Sequence, residues 1–366
     1  MSSGAKYYFP QLDAVRGLSF LAVYFVHAYH PDFGKGFFLE LLQYLYNNLA
    51  LSIDVFFILS SFLLTWLGIH EYKAKGNFSF INYFIRRALR IWPLYILLMI
   101  FSFIIVPYAA DYFHAPVTLP PAYYYLFFIS NFYLEGHVYF LRFLWTLSVE
   151  EQFYLFWGLC LLVLQKRMLL CVLLLIVTSI AYTIYAVRNG ADAYYNTLIY
   201  LFDFAVGILA ALLMHKGGYV IEVFKKMTTV KSILFLLLLP FLFVTMFCIS
   251  YFAPNNFGQW ADVIMRYVFI IYTGFFIIDQ MVNEKAFLKL KSQSFLIYTG
   301  KISYGLYCFH GIVLTFGMAV LQILEINMHN ILRVLLFLAV NYLIASISYQ
   351  FLEKPFLKFK DKLSRT

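Results

Sequence analysis

Two residues in one apolar stretch invite chemistry. Arg16 and His27 both stand in LDAVRGLSFLAVYFVHAYH. On a helix that spacing returns to within about 20° of the same face and advances about 16 Å. One stripe then presents a guanidinium near one end and an imidazole near the other. A guanidinium forks onto carboxylate or phosphate. An imidazole takes a proton from a hydroxyl near neutral pH when a neighbour sets its tautomer. Such a stripe suits the wall of a tunnel that admits a long anionic molecule from one side and reacts it near the other. The plainer alternative for His27 is an interfacial histidine bonded to a loop.

Other polar residues fall at matching depths. Asp54 lies in LSIDVFFILSSFLL, Glu150 and Glu151 in FLWTLSVEEQFYLFW, and His310 in ISYGLYCFHGIVL. The three carboxylates are the candidates to orient His27. Adjacent helical residues diverge by about 100°, so Glu150 and Glu151 cannot both face one site. Asp54 also suits the first turn of a helix. Tyr304, Tyr307 and His310 repeat every third position, as a polar seam or as aromatic packing. In IRRALRIWPLY, Arg87 and Arg90 share a helix face and could grip phosphate, although Arg86, Arg87 and Arg90 equally serve as flanking charges of a span. Glu353-Lys354-Pro355 reads as a helix end stopped by proline.

The elements that must position these groups are membrane helices. Of 366 residues, 63% are hydrophobic and only 12% charged, about half the charged share of soluble domains. Apolar runs predict ten helices at about 12–30, 47–69, 85–108, 143–164, 168–187, 196–214, 231–252, 262–282, 299–323 and 331–353. Ten-residue alternating strands are absent, so the fold class is an all-α polytopic bundle rather than a β-barrel. The segment 121–134 is apolar but short, which predicts a re-entrant or interfacial element.

Charge sets the orientation. With both termini cytoplasmic, nearly all Lys and Arg fall in inner segments. Only Lys35, Arg142, Arg188, Arg266 and Arg333 fall outside, and Arg16 lies within the first span. The net charge of +9 is thus a topology signal and calls for no nucleic acid. Cys160, Cys171, Cys248 and Cys308 sit in apolar runs without a CxxC pair, as small buried hydrophobes. The first apolar run, interrupted by Arg16, has no small-residue cleavage site and reads as a retained helix.

These motifs, with GKISYGLYCFHGIVL, FDFAVGILAAL and SYQFLEKPF, follow one another in a familiar order. The chain resembles the acyltransferase family 3 membrane proteins, which O-acylate cell-surface carbohydrates. One departure is Ser61 in SSFLL, where the family usually has glycine. The resemblance implies a multi-pass protein of the bacterial cytoplasmic (inner) membrane. It implies acetyl-coenzyme A, or another acyl-coenzyme A, as donor co-substrate, a carbohydrate acceptor and no metal. His27 would be catalytic, with Glu150, Glu151, Asp54 and His310 around it, and Arg16, Arg87 and Arg90 would hold the donor. A homodimer and a partner protein that completes the transfer both stay open, since the outer hydrolase-like domain of some members is not present. A proton-coupled transporter of an anion or sugar is the rival reading of the buried ionisable groups. A non-catalytic relative on the same fold is a third.

Overall fold

The computed structural model describes residues 8–112, 117–133, 138–164, 167–252 and 255–363. Helices make up 84% of it, and no strand occurs among the described residues. Ten long helices set the architecture. They are α1 (Pro10–Ala28), α2 (Ser52–Lys75), α3 (Phe80–Ile100), α4 (Trp145–Val163), α5 (Met168–Asn189), α6 (Leu201–Lys216), α7 (Thr229–Phe252), α8 (Asn255–Val282), α9 (Ser303–Ile323) and α10 (Asn330–Ser348). Each overlaps one of the ten stretches predicted above, with ends that differ by up to eight residues. Among the described residues, eight stretches of helix are long and apolar enough to cross a membrane.

The helices α1 and α4 are not among those eight, because they carry the polar residues. Asp13, Arg16 and His27 lower the hydropathy of α1, and Glu150, Glu151 and Gln152 that of α4. Both are nonetheless rich in buried positions. By contrast, α7 buries only Ser232 and Phe247 and presents leucine and phenylalanine outward. The buried ionisable groups of α1 and α4 are thus kept inside the bundle, as their cost in lipid requires.

Close backbone approaches lock the interior. At Gly17 of α1 a Cβ would meet the Leu296 carbonyl of the short helix Ser294–Lys301, and at Gly300 of that helix a Cβ would meet the Asp13 carbonyl. Each helix thus presses a glycine against the other's backbone. Likewise a Cβ at Gly207 of α6 would strike Ser61 Oγ and the Ile58 carbonyl of α2. Ser61 is fully buried and donates to the Ile58 carbonyl at 3.1 Å. A glycine across the interface makes room for that side chain. Around this contact, Phe153 and Phe204 stack at 3.7 Å, and Trp157 Nε1 donates to Thr65 Oγ1 at 3.0 Å.

The segment 121–134 does not span. Its described part is one helical turn, Tyr123–Leu126, and a 3₁₀ turn, Ser130–Phe132. It is bound to its neighbours by Gln152 Nε2 donating to the Phe128 carbonyl at 2.8 Å and by Tyr95 donating to the Tyr125 carbonyl at 2.8 Å. The expected proline stop at 355 is corrected. A π-helical turn, Tyr349–Glu353, follows α10, and an α-helix continues over Lys354–Leu363. The wider turn absorbs the amide hydrogen that Pro355 lacks, and Glu353 is buried there.

Candidate active site

Arg16, Arg87 and Arg90 come together. With Ser60, Glu150 and Tyr154 they line a cavity of about 70 Å³ between α1, α2, α3, α4 and α9. The face shared by Arg87 and Arg90 on α3 is turned toward Arg16 on α1. Arg87 also lies over the Tyr154 ring, 5.8 Å from its centre. Arg86 departs from this group and pairs with Glu71 at 2.6 Å. Arg16 has a looser contact with Asp13, 3.5 Å away one turn earlier. Glu150 enters the same cavity, accepting hydrogen bonds from Tyr154 at 2.7 Å and Ser60 at 3.0 Å. Three guanidiniums against one carboxylate leave the cavity electropositive, which favours an anion.

His27 occupies a second, smaller chamber of about 20 Å³, whose walls include Val26, Trp145 and Phe143. Ile53 and Tyr307 line both chambers and so form the partition between them. The Tyr307 hydroxyl donates to the Phe143 carbonyl at 3.0 Å and accepts from Thr146 Oγ1 at 2.9 Å. On its other side His27 borders an open cleft of about 380 Å³ with Tyr139, Thr315, Phe337 and Arg333. This end of α1 is held by the Tyr46 hydroxyl, which lies 2.6 Å from the Phe25 carbonyl and 2.7 Å from the Tyr29 carbonyl. Tyr24 ties α1 to α10 by donating to the Val334 carbonyl at 2.8 Å.

The group that orients His27 is a histidine, not a carboxylate. His27 Nδ1 lies 3.2 Å from His310 Nε2, with the rings 16° from parallel. Phe143 packs on both, at 4.4 Å from each ring centre. The contacts assign the tautomers. His310 Nδ1 bonds the Tyr307 carbonyl, which can only accept, so this nitrogen carries the proton. In a neutral ring His310 Nε2 is then an acceptor, and His27 Nδ1 must donate to it. His27 Nε2 is left with a free lone pair, the atom a general base uses.

The three carboxylates expected near His27 lie elsewhere. Asp54 is almost fully buried and receives Arg266 at 3.2 and 3.3 Å, while the same guanidinium reaches Asp203 at 2.7 Å. Arg266 thereby joins α2, α6 and α8. Glu150 serves the cation cavity. Glu151, adjacent on α4, is buried and turned away from it, with Oε1 lacking a hydrogen-bond partner. Opposite charge at matching depth was the available signal for Arg266: two buried acids demand a cation. Among the described residues, no group of three or more His, Cys, Asp or Glu is placed to hold a metal.

A family model described as "Acyltransferase domain" matches residues 9–350. The chain is 28% identical to a peptidoglycan O-acetyltransferase of Listeria monocytogenes, over 98% of this chain and 58% of that protein. It is 27% identical to a putative peptidoglycan O-acetyltransferase of Bacillus subtilis, over 95% of this chain and 55% of that one. It is 25% identical to a putative O-acetyltransferase of Staphylococcus aureus strain COL, over 96% and 58% respectively. The chain thus spans a little over half the length of these curated relatives. No solved structure matches.

Proposed function

Because the chain belongs to this acyltransferase family, we propose that it transfers an acetyl group from acetyl-coenzyme A to a hydroxyl of a carbohydrate on the opposite face of the bacterial cytoplasmic membrane. The observation that carries this reading is the placing of α1 across two chambers. Arg16 faces the cationic one and His27 the next, and Ile53 and Tyr307 stand between them. In this reading, which the charge bias supports, both termini and the Arg16 end of α1 are cytoplasmic. Phosphates of the donor dock on Arg87 and Arg90, and its arm runs past Arg16 toward the partition.

His27 Nε2 takes the proton from the acceptor hydroxyl as the oxygen attacks the thioester carbonyl. The carbon–sulfur bond breaks, and the imidazolium returns that proton to the departing thiolate. His310 keeps the His27 lone pair directed at the hydroxyl. It also accepts the hydrogen bond that strengthens as His27 becomes positive. The similarity to peptidoglycan O-acetyltransferases supports peptidoglycan as the acceptor polymer.

The test uses cells carrying His27→Ala at normal protein level, with surface glycans read by mass spectrometry. Acetylation should disappear, and coenzyme A release by the purified protein in liposomes should fall with it. Full acetylation in the variant removes His27 from the chemistry. Uptake of a sugar or anion without coenzyme A release would establish transport instead.

A further inference from the structure

The two spaces that meet at His27 differ greatly in capacity. The chamber toward Tyr307 measures about 20 Å³, little more than the ~10–15 Å³ that one water needs. A sugar ring does not fit there. The cleft on the other side measures about 380 Å³, within the ~300–1,000 Å³ of small-molecule sites. Of the two spaces beside His27 among the described residues, this cleft is the one that can admit a carbohydrate hydroxyl.

The lining has a definite chemistry. Tyr139 is 40% exposed and offers a ring face. Its hydroxyl donates to the His27 carbonyl at 3.3 Å, which fixes the ring beside the base. Thr315 donates to the Gly311 carbonyl at 2.7 Å, leaving its oxygen free to accept from a sugar hydroxyl. Arg333 sits in the first turn of α10, and among the described residues no carboxylate pairs with its guanidinium. The contrast with Arg266, clamped between two acids, is sharp. A half-buried guanidinium without a carboxylate partner among the described residues, lining the same cleft as His27, is a recognition point for an anion.

We infer that this cleft is the acceptor subsite, and that Arg333 selects a sugar bearing a carboxylate or phosphate by pairing with that group while a hydroxyl lies against His27 Nε2. This rests on the acyl-transfer reading above for the role of the bound sugar, but not for its binding.

Binding and turnover are measured separately on the purified full chain in phosphatidylcholine nanodiscs. The probes are N-acetylmuramic acid and N-acetylglucosamine, which differ by one carboxylate-bearing ether group, and N-acetylglucosamine 6-phosphate. Wild-type protein should bind at least one anionic sugar about tenfold or more tightly than N-acetylglucosamine. Which one wins tells carboxylate from phosphate. Arg333→Gln should bring all three within about twofold, Arg333→Lys should keep part of the preference, and acetyl-coenzyme A binding should not move. Equal binding of charged and neutral sugars by wild type, or a preference that survives in Arg333→Gln, overturns the inference. A preference that depends on Arg333 without acetyl transfer to any sugar leaves the subsite standing and removes the enzymatic role. Transfer with no dependence on acceptor charge does the reverse.

Discussion

Replacing His310 by phenylalanine isolates what the histidine pair does. Phenylalanine keeps a flat ring against Phe20 and Phe143, so packing changes little. What is lost is the Nε2 acceptor 3.2 Å from His27 Nδ1, together with the Nδ1 hydrogen bond to the Tyr307 carbonyl. His27 then holds an unmatched buried donor whenever it adopts the productive tautomer. Leaving such a group unsatisfied costs about 1–3 kcal/mol. At about 1.4 kcal/mol per factor of ten, acetyl transfer should fall roughly 5- to 150-fold. His27→Ala removes the base itself and should cost about 10²- to 10⁴-fold. Because His310 does not touch the donor cavity, the KM for acetyl-coenzyme A should stay put in His310→Phe while kcat drops. His310→Gln, whose amide oxygen can accept, should recover part of the loss. The assay is thiol release from acetyl-coenzyme A by protein in liposomes, paired with mass spectrometry of the acetylated sugar. Wild-type kcat in His310→Phe would refute the orienting role. A loss as complete as that of His27→Ala, with no recovery in His310→Gln, would make His310 the base instead.

The cation cavity predicts that Arg87→Met and Arg90→Met each raise the KM for the donor about tenfold or more. Lysine at either position should restore little, because it lacks the planar fork; unchanged donor KM in both methionine variants would exclude the cavity as the docking site. Arg266→Met leaves Asp54 and Asp203 as uncompensated buried acids and should cost about 3–5 kcal/mol, read as an earlier thermal transition in detergent. Adding Asp54→Asn and Asp203→Asn should recover much of it. Gly300→Ala drives a Cβ into the Asp13 carbonyl and should destabilise by about 1–3 kcal/mol or more, again seen in the melting curve. Ile53→Ala enlarges the small chamber and should raise propionyl relative to acetyl transfer, measured by competition between the two thioesters.

The helices were legible because their cause is local. An apolar run long enough to cross a bilayer is visible residue by residue, and charge bias needs only counting. The convergence of Arg16, Arg87 and Arg90 was half legible, since helical spacing aligns Arg87 with Arg90 but says nothing of α1. The partner of His27 was not legible. It lies 283 positions away, and helical periodicity contains no term for which face meets which. Carboxylates looked the natural partners because they are the usual orienting groups. Yet Asp54 and Asp203 share Arg266, and Ser60 and Tyr154 hold Glu150. Arg266 itself was hidden by its use as a topology marker. The run past Pro355 escaped because a π turn depends on packing around Glu353, not on propensity.

In the proposed transfer across an energised membrane, the partition of Ile53 and Tyr307 also bears on ion leakage. A bundle with a polar hollow entered from each face risks becoming a conductor, and each charge crossing 100 mV dissipates about 2.3 kcal/mol. A continuous file of water would let protons run down that gradient. Here the hydroxyl of Tyr307 is occupied by Phe143 and Thr146, Ile53 offers no hydrogen bond, and the space beyond them holds little more than one water. The two hollows share Ile53 and Tyr307 as a common wall. A small neutral group is the cargo such a junction tolerates, whereas an ion would have to shed its hydration to follow.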